Sequence, residues 1–181
     1  FKSQESGERA AAAAVIQQIK AALADRVADP RVGDLPPTSL GEAGYESTND
    51  LNDCIGVLVA LLGGDGSTLN PFTDEGNLIN TDQDRDPRKT TYGKSREFFE
   101  YSDPWGNPYI YFRLRDFDDN PDGTVRYYLG GEGAQETIDV SPVKNKKTRT
   151  FSGATDGFQV ISMGPDLEFG TDDDVVSWRS S

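Results

Sequence analysis

The chain lacks histidine entirely and contains a single cysteine, Cys54. The absence of imidazole excludes Ser-His-Asp triads, Cys-His pairs and histidine-ligated zinc. One cysteine cannot form an intrachain disulfide or a thiolate metal cage, so we interpret Cys54 as a small core residue. Basic side chains are also scarce, since 18 of them face 31 acidic ones and leave a net charge of −13. A chain this acidic repels nucleic acid and anionic membrane surfaces, so we expect no nucleic-acid partner.

Long hydrophobic runs are absent as well. The longest apolar stretch, Cys54–Gly64, has about half of the roughly 18–20 residues that cross a bilayer. The length of 181 residues predicts a single domain with a modest core. Because the sequence begins with Phe1 rather than methionine, we expect a chain that was processed or trimmed at its N-terminus.

The clearest helix is predicted over residues 6–28. Five consecutive alanines at 10–14 favour a helix, and Asp29-Pro30 ends it. Apolar residues at three- and four-residue spacing form one stripe: Val15, Ile16, Ile19, Leu23 and Val27. The thin stripe and the uncapped start are typical of the exposed half of a longer helix.

A second helix is predicted over residues 50–62. Thr48 or Asn49 is the expected N-cap, and Asp50 and Asp53 are placed favourably near the positive end of the helix dipole. Because its apolar face is wide, we expect this helix to be the most buried one. The residues of that face are Leu51, Ile55, Leu58, Val59 and Leu62.

The remaining two thirds of the chain are predicted to be loop and sheet. Residues 65–96 are polar and indicate a long loop with one short helix. Short β-branched or aromatic runs predict an antiparallel sheet within residues 103–162, with strands at 109–112, 125–129 and 158–162. Asp122-Gly123 favours a turn between the first two strands. Two helices followed by a sheet indicate a single α+β domain.

Two acidic segments of this region offer oxygen ligands. Residues 80–86 place an oxygen-bearing side chain at every second position, and residues 116–123 include the first half of an EF-hand-like loop. The twelfth position of that loop is Leu129 instead of glutamate, which disfavours an EF-hand. For both segments a calcium site and a solvated turn stay open, and the turn is favoured. The basic cluster Lys144–Lys147 is interpreted as a solvated loop tip.

A third acidic segment, residues 164–174, is more specific. It carries four aspartates within nine residues on a glycine-bearing loop that can curl back on itself. Carboxylates brought this close repel one another unless a cation lies between them, and calcium accepts six to eight oxygens in flexible geometry. Asp172 and Asp174 can point the same way, with Asp173 towards solvent. An ordinary acidic loop remains the alternative.

Two motifs resemble the major pseudopilins of type II secretion systems. Ser102–Tyr111 contains Asp-Pro-Trp-Gly-Asn-Pro-Tyr, and residues 162–178 are similar to the C-terminal loop of that family. The resemblance implies a pilin-like fold, in which a long N-terminal stem helix and a second helix pack on a small antiparallel sheet. It also implies one calcium ion in a loop over residues 163–178. The ligands carried over are the side chains of Asp166, Asp172 and Asp174 and the backbone carbonyls of Met163 and Glu168.

The resemblance further implies a structural subunit rather than an enzyme. Such subunits polymerise through the N-terminal helix with their own kind and with other pseudopilins, and the filament serves the secretion machinery in the periplasm. The family's inner-membrane anchor would precede Phe1 here. The chain departs from the family in the segment 113–156, which looks like an insertion, and in an enlarged 65–96 loop.

Three other functions stay open at this stage. They are a calcium-dependent extracellular binding module, a specialised type IV pilin-like protein, and an enzyme with paired carboxylates such as a glycoside hydrolase. The Asp-Pro-Trp-Gly-Asn-Pro-Tyr segment itself is expected to be structural, with Trp105 and Tyr109 as core anchors.

Overall fold

The computed structural model of the protein describes residues 2–63, 70–129 and 136–179. These residues form an α+β fold with two α-helices, α1 (Lys2–Ala28) and α2 (Asp53–Leu62). The strands are β1 (Leu78–Ile79), β2 (Glu100–Tyr101), β3 (Ile110–Arg113), β4 (Val125–Leu129), β5 (Glu136–Val140), β6 (Phe158–Ser162) and β7 (Val175–Val176). Within these ranges, neither helix combines the length and the apolar character needed to span a membrane.

Helix α1 begins at Lys2, earlier than predicted, because residues 2–5 include no helix breaker. Ile16, Ile19 and Leu23 of the predicted stripe are buried, whereas Val27 is 43% exposed and belongs to neither core cluster. The stripe therefore contributes to the core over fewer turns than its sequence spacing indicates. The first turns of α1, residues 2–7, are exposed.

Helix α2 is almost wholly buried, as predicted, but it begins at Asp53 rather than at residue 50. Its N-cap is Asn52, in the left-handed region at φ 53°, so the prediction of Thr48 or Asn49 is wrong. Asp50 lies before the helix, where it pairs with Arg126.

Contacts with β4 explain this late start. The backbone of Leu51 bridges to Arg126, and the side-chain oxygen of Asn52 accepts a hydrogen bond from the backbone N–H of Tyr128 at 2.9 Å. These contacts hold the two residues before Asp53 against a strand, so they cannot join the helix.

The strands form three antiparallel sheets rather than one. The central sheet has the order β3-β6-β7, while β4 pairs with β5 and β1 pairs with β2. The predicted turn at Asp122-Gly123 is present, with the N–H of Gly123 donating to the carbonyl of Asn120 at 2.9 Å, but the strands on either side of it belong to different sheets. Residues Leu114–Phe117 turn into a 3₁₀ helix directly after β3, so the chain leaves the central sheet before that turn.

The central sheet is covered on both faces. Alternation along β3 directs Tyr111 into the core cluster shared with α1 and α2, and directs Ile110 and Phe112 into a second cluster. The second cluster contains residues of the β4–β5 hairpin and also Cys54, which is buried as predicted. The segment 113–156 thus supplies the cover for the second face of the sheet.

The described part of the 65–96 loop contains the predicted short helix, a 3₁₀ turn at Glu75–Asn77, and also β1, which the sequence did not indicate. Residues 65–69 of this segment lie outside the described residues. The basic cluster at 144–147 is largely exposed, as predicted, with the Nζ atom of Lys144 2.5 Å from the Oδ1 atom of Asp122.

Gln159 in β6 fixes the segment 141–152 to the central sheet. Its side chain is fully buried, accepts a hydrogen bond from the N–H of Val143 at 2.9 Å, and donates to the carbonyls of Val143 and Ser152 at 2.8 Å each. One amide therefore bonds three backbone groups, of which, in the described residues, only the carbonyl of Val143 has a second partner, the N–H of Ser152 at 2.9 Å.

We expect Gln159→Met to lower the free energy of unfolding by about 2–3 kcal/mol, because an apolar side chain of similar length leaves the N–H of Val143 and the carbonyl of Ser152 unpaired. Urea unfolding measures the change. The matched control is Gln18→Met on the exposed side of α1, which should stay within about 0.5 kcal/mol of the wild type. Equal stabilities of the two variants would contradict this role of Gln159.

Candidate metal centre

Asp103 organises the turn of the Asp-Pro-Trp-Gly-Asn-Pro-Tyr segment. Its Oδ1 atom accepts hydrogen bonds from the backbone N–H groups of Trp105 and Asn107, each at 3.0 Å. Burial raises the pKa of Asp103, partly opposed by a hydrogen bond from Ser162. Tyr109 is fully buried, as predicted, but Trp105 is only half-buried at the tip of the turn and belongs to neither core cluster, so its prediction as a core anchor is wrong.

The two motifs that carry the resemblance meet in space. The hydroxyl of Ser162, at the end of β6, donates to the Oδ2 atom of Asp103 at 2.6 Å. Both side chains are buried. Ser162 opens the C-terminal loop, so the turn at Asp103 helps to set where that loop leaves the sheet.

Asp174 is the buried carboxylate of the C-terminal loop, with 6% of its surface exposed. Its Oδ2 atom accepts a hydrogen bond from the N–H of Gly170 at 2.9 Å, while its Oδ1 atom is buried without a partner. Burial, and then the charge of Asp166, raises the pKa of Asp174 to about 6. The charge of Arg179 opposes this rise in pKa, but the net effect still disfavours an ionised Asp174 in this position.

Asp166 lies on the exposed side of the same loop. Its carboxylate accepts hydrogen bonds from the N–H of Glu168 at 3.0 Å and from the hydroxyl of Thr171 at 2.8 Å. These bonds curl the loop, and the charge of Asp166 acts on Asp174.

Asp172 and Asp174 line one cavity of about 390 Å³ between the loop and α1. Asp173 does not line it and instead pairs with Arg9 of α1, with 2.5 Å between Nη2 and Oδ1. Asp172 is exposed. The alternation predicted for residues 172–174 is therefore present, although Asp173 faces a helix rather than open solvent.

The five predicted ligands are only partly brought together. In the ranges described by the structure, no group of three or more acidic or cysteine side chains stands arranged to hold a metal. Asp166 and Asp174 interact, and the unpaired Oδ1 atom of Asp174 suits a cation, whereas Asp172 would have to rotate towards them. Met163 is buried and Glu168 is exposed, and the roles of their carbonyls stay predictions.

The acidic segment 116–123 is used for ordinary contacts. Asp116 accepts hydrogen bonds from the guanidinium of Arg113 at 2.8 Å and from the hydroxyl of Thr38 at 2.7 Å, and these bonds lower the pKa of Asp116. Asp122 pairs with Lys144, and Asp119 is exposed. The structure does not bring the carboxylates of this segment together.

The acidic segment 80–86 is different, because Asp82 and Asp84 turn inward and meet Glu100 of β2. Asp86 is separate, since it accepts hydrogen bonds from the N–H groups of Arg88 and other nearby residues. The sequence analysis missed Glu100. The available signal was a single carboxylate among the aromatic residues of Phe98-Phe99-Glu100-Tyr101.

Comparisons of this chain with protein-family models, with curated proteins and with solved structures find no match. Any functional assignment must therefore come from the chain's own residues and their arrangement.

Gly164 permits the close packing of the C-terminal loop. Its φ is +69°, and a Cβ atom there would overlap the carbonyl oxygen of Asp173. Gly170 also has a positive φ, +87°, but a Cβ atom there would meet open space. A comparison of substitutions at these two glycines therefore separates the cost of backbone strain from the cost of steric overlap.

We expect Gly164→Ala to destabilise the protein clearly more than Gly170→Ala. Both variants carry the cost of a left-handed alanine, about 1–2 kcal/mol, but only the first displaces the backbone of Asp173. Thermal unfolding of both variants under the same conditions measures the difference. If the two variants lose the same stability, the close approach of Gly164 to the carbonyl of Asp173 does not constrain the residue at position 164.

Proposed function

We propose that this protein is a structural subunit of a filament of the type II secretion pseudopilus kind, with a calcium ion holding its C-terminal loop. The supporting observation is the hydrogen bond between Ser162 and Asp103, which joins the two motifs that resemble the pseudopilins. Each motif alone is short. Their contact in the folded chain supports a common structural role, in a pilin-like arrangement of α1 and α2 over a small antiparallel sheet.

The C-terminal loop is attached to the proposed stem helix. Besides the pair between Arg9 and Asp173, the ammonium of Lys20 donates to the carbonyl of Ser177 at 2.9 Å. Both cations belong to α1, and they lie about three turns apart. An ion that orders the loop would therefore also steady the helix through which the subunit is proposed to polymerise.

The exposed first turns of α1 suit this role. Residues 2–7 make the helix extend beyond the core, and the core contacts begin at Ala12. An exposed helix end offers a surface for neighbouring subunits. In the proposal the family's membrane anchor holds the subunit in the inner membrane, with the head domain in the periplasm.

Calcium, when bound, would supply positive charge between the carboxylates of the loop. Asp166, Asp172 and Asp174 would hold it, with the carbonyls of Met163 and Glu168 as further ligands. The protein's own contribution is to bury one oxygen of Asp174 without a hydrogen-bond partner and to keep Asp166 close enough to interact with it.

Calcium is expected to raise the melting temperature, and Asp174→Asn is expected to reduce that increase. A ligand at a hundredfold excess over its Kd stabilises a fold by about 2.7 kcal/mol, which is roughly 5–10 °C for a chain of this size. Differential scanning fluorimetry in calcium and in a chelator measures both shifts.

Asp119→Asn is the control, because it removes the same charge at an exposed position. It should keep the full response to calcium. A calcium-induced shift of equal size in Asp174→Asn and in Asp119→Asn would contradict the proposed loop site.

Deletion of the gene in its native bacterium is expected to leave secreted folded proteins in the periplasm. The reason is that a pseudopilus without this subunit would not drive them across the outer membrane. Mass spectrometry of culture medium and periplasm measures the change, and the wild-type gene should restore export. Unchanged export in the deletion strain would contradict the secretion role without bearing on the calcium site.

A further inference from the structure

Three carboxylates lie together beneath the 80–86 segment, and we call them the inner acidic cluster: Asp82, Asp84 and Glu100. Only 2% of Asp84 and 1% of Glu100 is exposed. The carboxyl group of Asp82 lies within hydrogen-bonding reach of both the others. Asp53, in the first turn of α2, adds a fourth negative charge that interacts with Asp82 and Asp84.

No basic side chain balances these charges in the described part of the chain. Its ion pairs involve other carboxylates, and none reaches Asp82, Asp84, Glu100 or Asp53. Buried charges that remain unpaired cost several kcal/mol, so proteins normally pair them or use them to coordinate metals.

The cluster is held by surrounding hydrogen-bond donors. Glu100 accepts from the N–H and the hydroxyl of Thr81 at 3.1 and 3.0 Å, and from the amide of Asn52 at 3.3 Å. Asp84 accepts from the hydroxyl of Ser47 at 2.8 Å. These bonds use both oxygens of Glu100 but only the Oδ2 atom of Asp84, which leaves its Oδ1 atom without a hydrogen-bond partner.

Several of the remaining oxygens are buried and have no hydrogen-bond partner. They are Oδ1 and Oδ2 of Asp82, Oδ1 of Asp84, Oδ1 of Asn80 and Oδ1 of Asp53. Asp84 is the most telling case, because its side chain is almost wholly buried and one of its oxygens is unpaired beside the charges of Asp82 and Glu100. Unpaired buried acceptors are rare in folded proteins, and an ordered water or a bound ion commonly accounts for them.

Electrostatics agrees with this geometry. Burial, and then the charge of Asp82, raises the pKa values of Asp84 and Glu100 to about 8 each. Burial also raises the pKa of Asp53 to about 7.

We propose that the inner acidic cluster binds a calcium ion, separate from the one proposed for the C-terminal loop, through Asp82, Asp84 and Glu100 with the amide oxygen of Asn80. All these donors are hard oxygens, which calcium prefers. Calcium also suits a water-poor site better than magnesium, which keeps several of its waters. Binding requires side-chain rotations, since in the described residues the carboxylates do not stand in a coordinating arrangement.

Such an ion would attach the 80–86 segment to the two elements beside it. Glu100 belongs to β2, and Asn52, which donates to it, caps α2. The site shares no residue with the C-terminal loop. The proposal therefore does not depend on the pseudopilin assignment.

The experiment counts bound calcium ions by native mass spectrometry and calorimetry at pH 7.5 in the wild type, Asp82→Asn, Asp174→Asn and the control Asp119→Asn. We expect Asp82→Asn to bind one ion fewer than the wild type and Asp119→Asn to bind the same number. Equal numbers in the wild type and Asp82→Asn would overturn the inner site. Loss of an ion in Asp174→Asn reports separately on the C-terminal loop.

Melting temperatures distinguish a variant that has lost the calcium site from a variant that binds poorly because it is misfolded. In chelator, Asp82→Asn should melt above the wild type, because one repelling charge is gone. In 1 mM calcium the order should reverse. Asp84→Asn, which keeps one acceptor oxygen for the hydroxyl of Ser47, should behave in the same way. If both variants melt above the wild type in calcium as well as in chelator, the carboxylates share protons only and the proposal fails.

Discussion

Burial of the central β3-β6-β7 sheet on both faces is the constraint on which the rest of this structure depends. Helices α1 and α2 cover one face and the β4–β5 hairpin covers the other, so β3 and β6 are buried along their whole length. Polar groups at the rim of the sheet must then find partners inside the protein. Gln159 does so for the segment that follows β5, and Ser162 does so for Asp103. The C-terminal loop leaves the sheet directly after Ser162, so its position depends on the packing around the end of β6.

Where a buried acid in this protein has a basic partner, its oxygens are satisfied. Asp116 contacts Arg113, a largely buried cation that also reaches Asp34 and Glu42. The carboxylates of the inner acidic cluster and Asp174 are different, because each place contains a buried oxygen with no partner in the described residues. A chain with 13 more acidic than basic side chains cannot pair every acid with a cation, and these buried ones have no ion pair in the described residues. Bound metal ions would neutralise the negative charge of these buried carboxylates. The same physical reason applies to both proposed sites.

Local patterns predicted the helices and the strands better than they predicted how the strands pair. The spacing of Ile16, Ile19 and Leu23 located the core side of α1 correctly because helical period alone decides which residues share a face. The start of α2 was misplaced because Asn52 is held by β4, about 75 residues further along the chain. Strand β3 pairs with β6 instead of β4 for a similar reason, since contacts between distant parts of the chain decide this pairing. Turn preference at Asp122-Gly123 is a local signal, whereas strand pairing is decided by which surfaces bury the most apolar area.

The sequence by itself determined the acidity, the absence of imidazole and disulfide chemistry, the α+β class and the candidate ligands Asp166, Asp172 and Asp174. Only the tertiary structure decided which carboxylates are buried and which meet. It placed Glu100 beside Asp82 and Asp84 and turned Asp86 and Asp122 to other partners. The reason is that the carboxylates have the same charge when they are exposed to water, so the sequence alone does not show which of them will be buried. The surroundings of each carboxylate set the cost of burying it, and those surroundings come from distant parts of the chain.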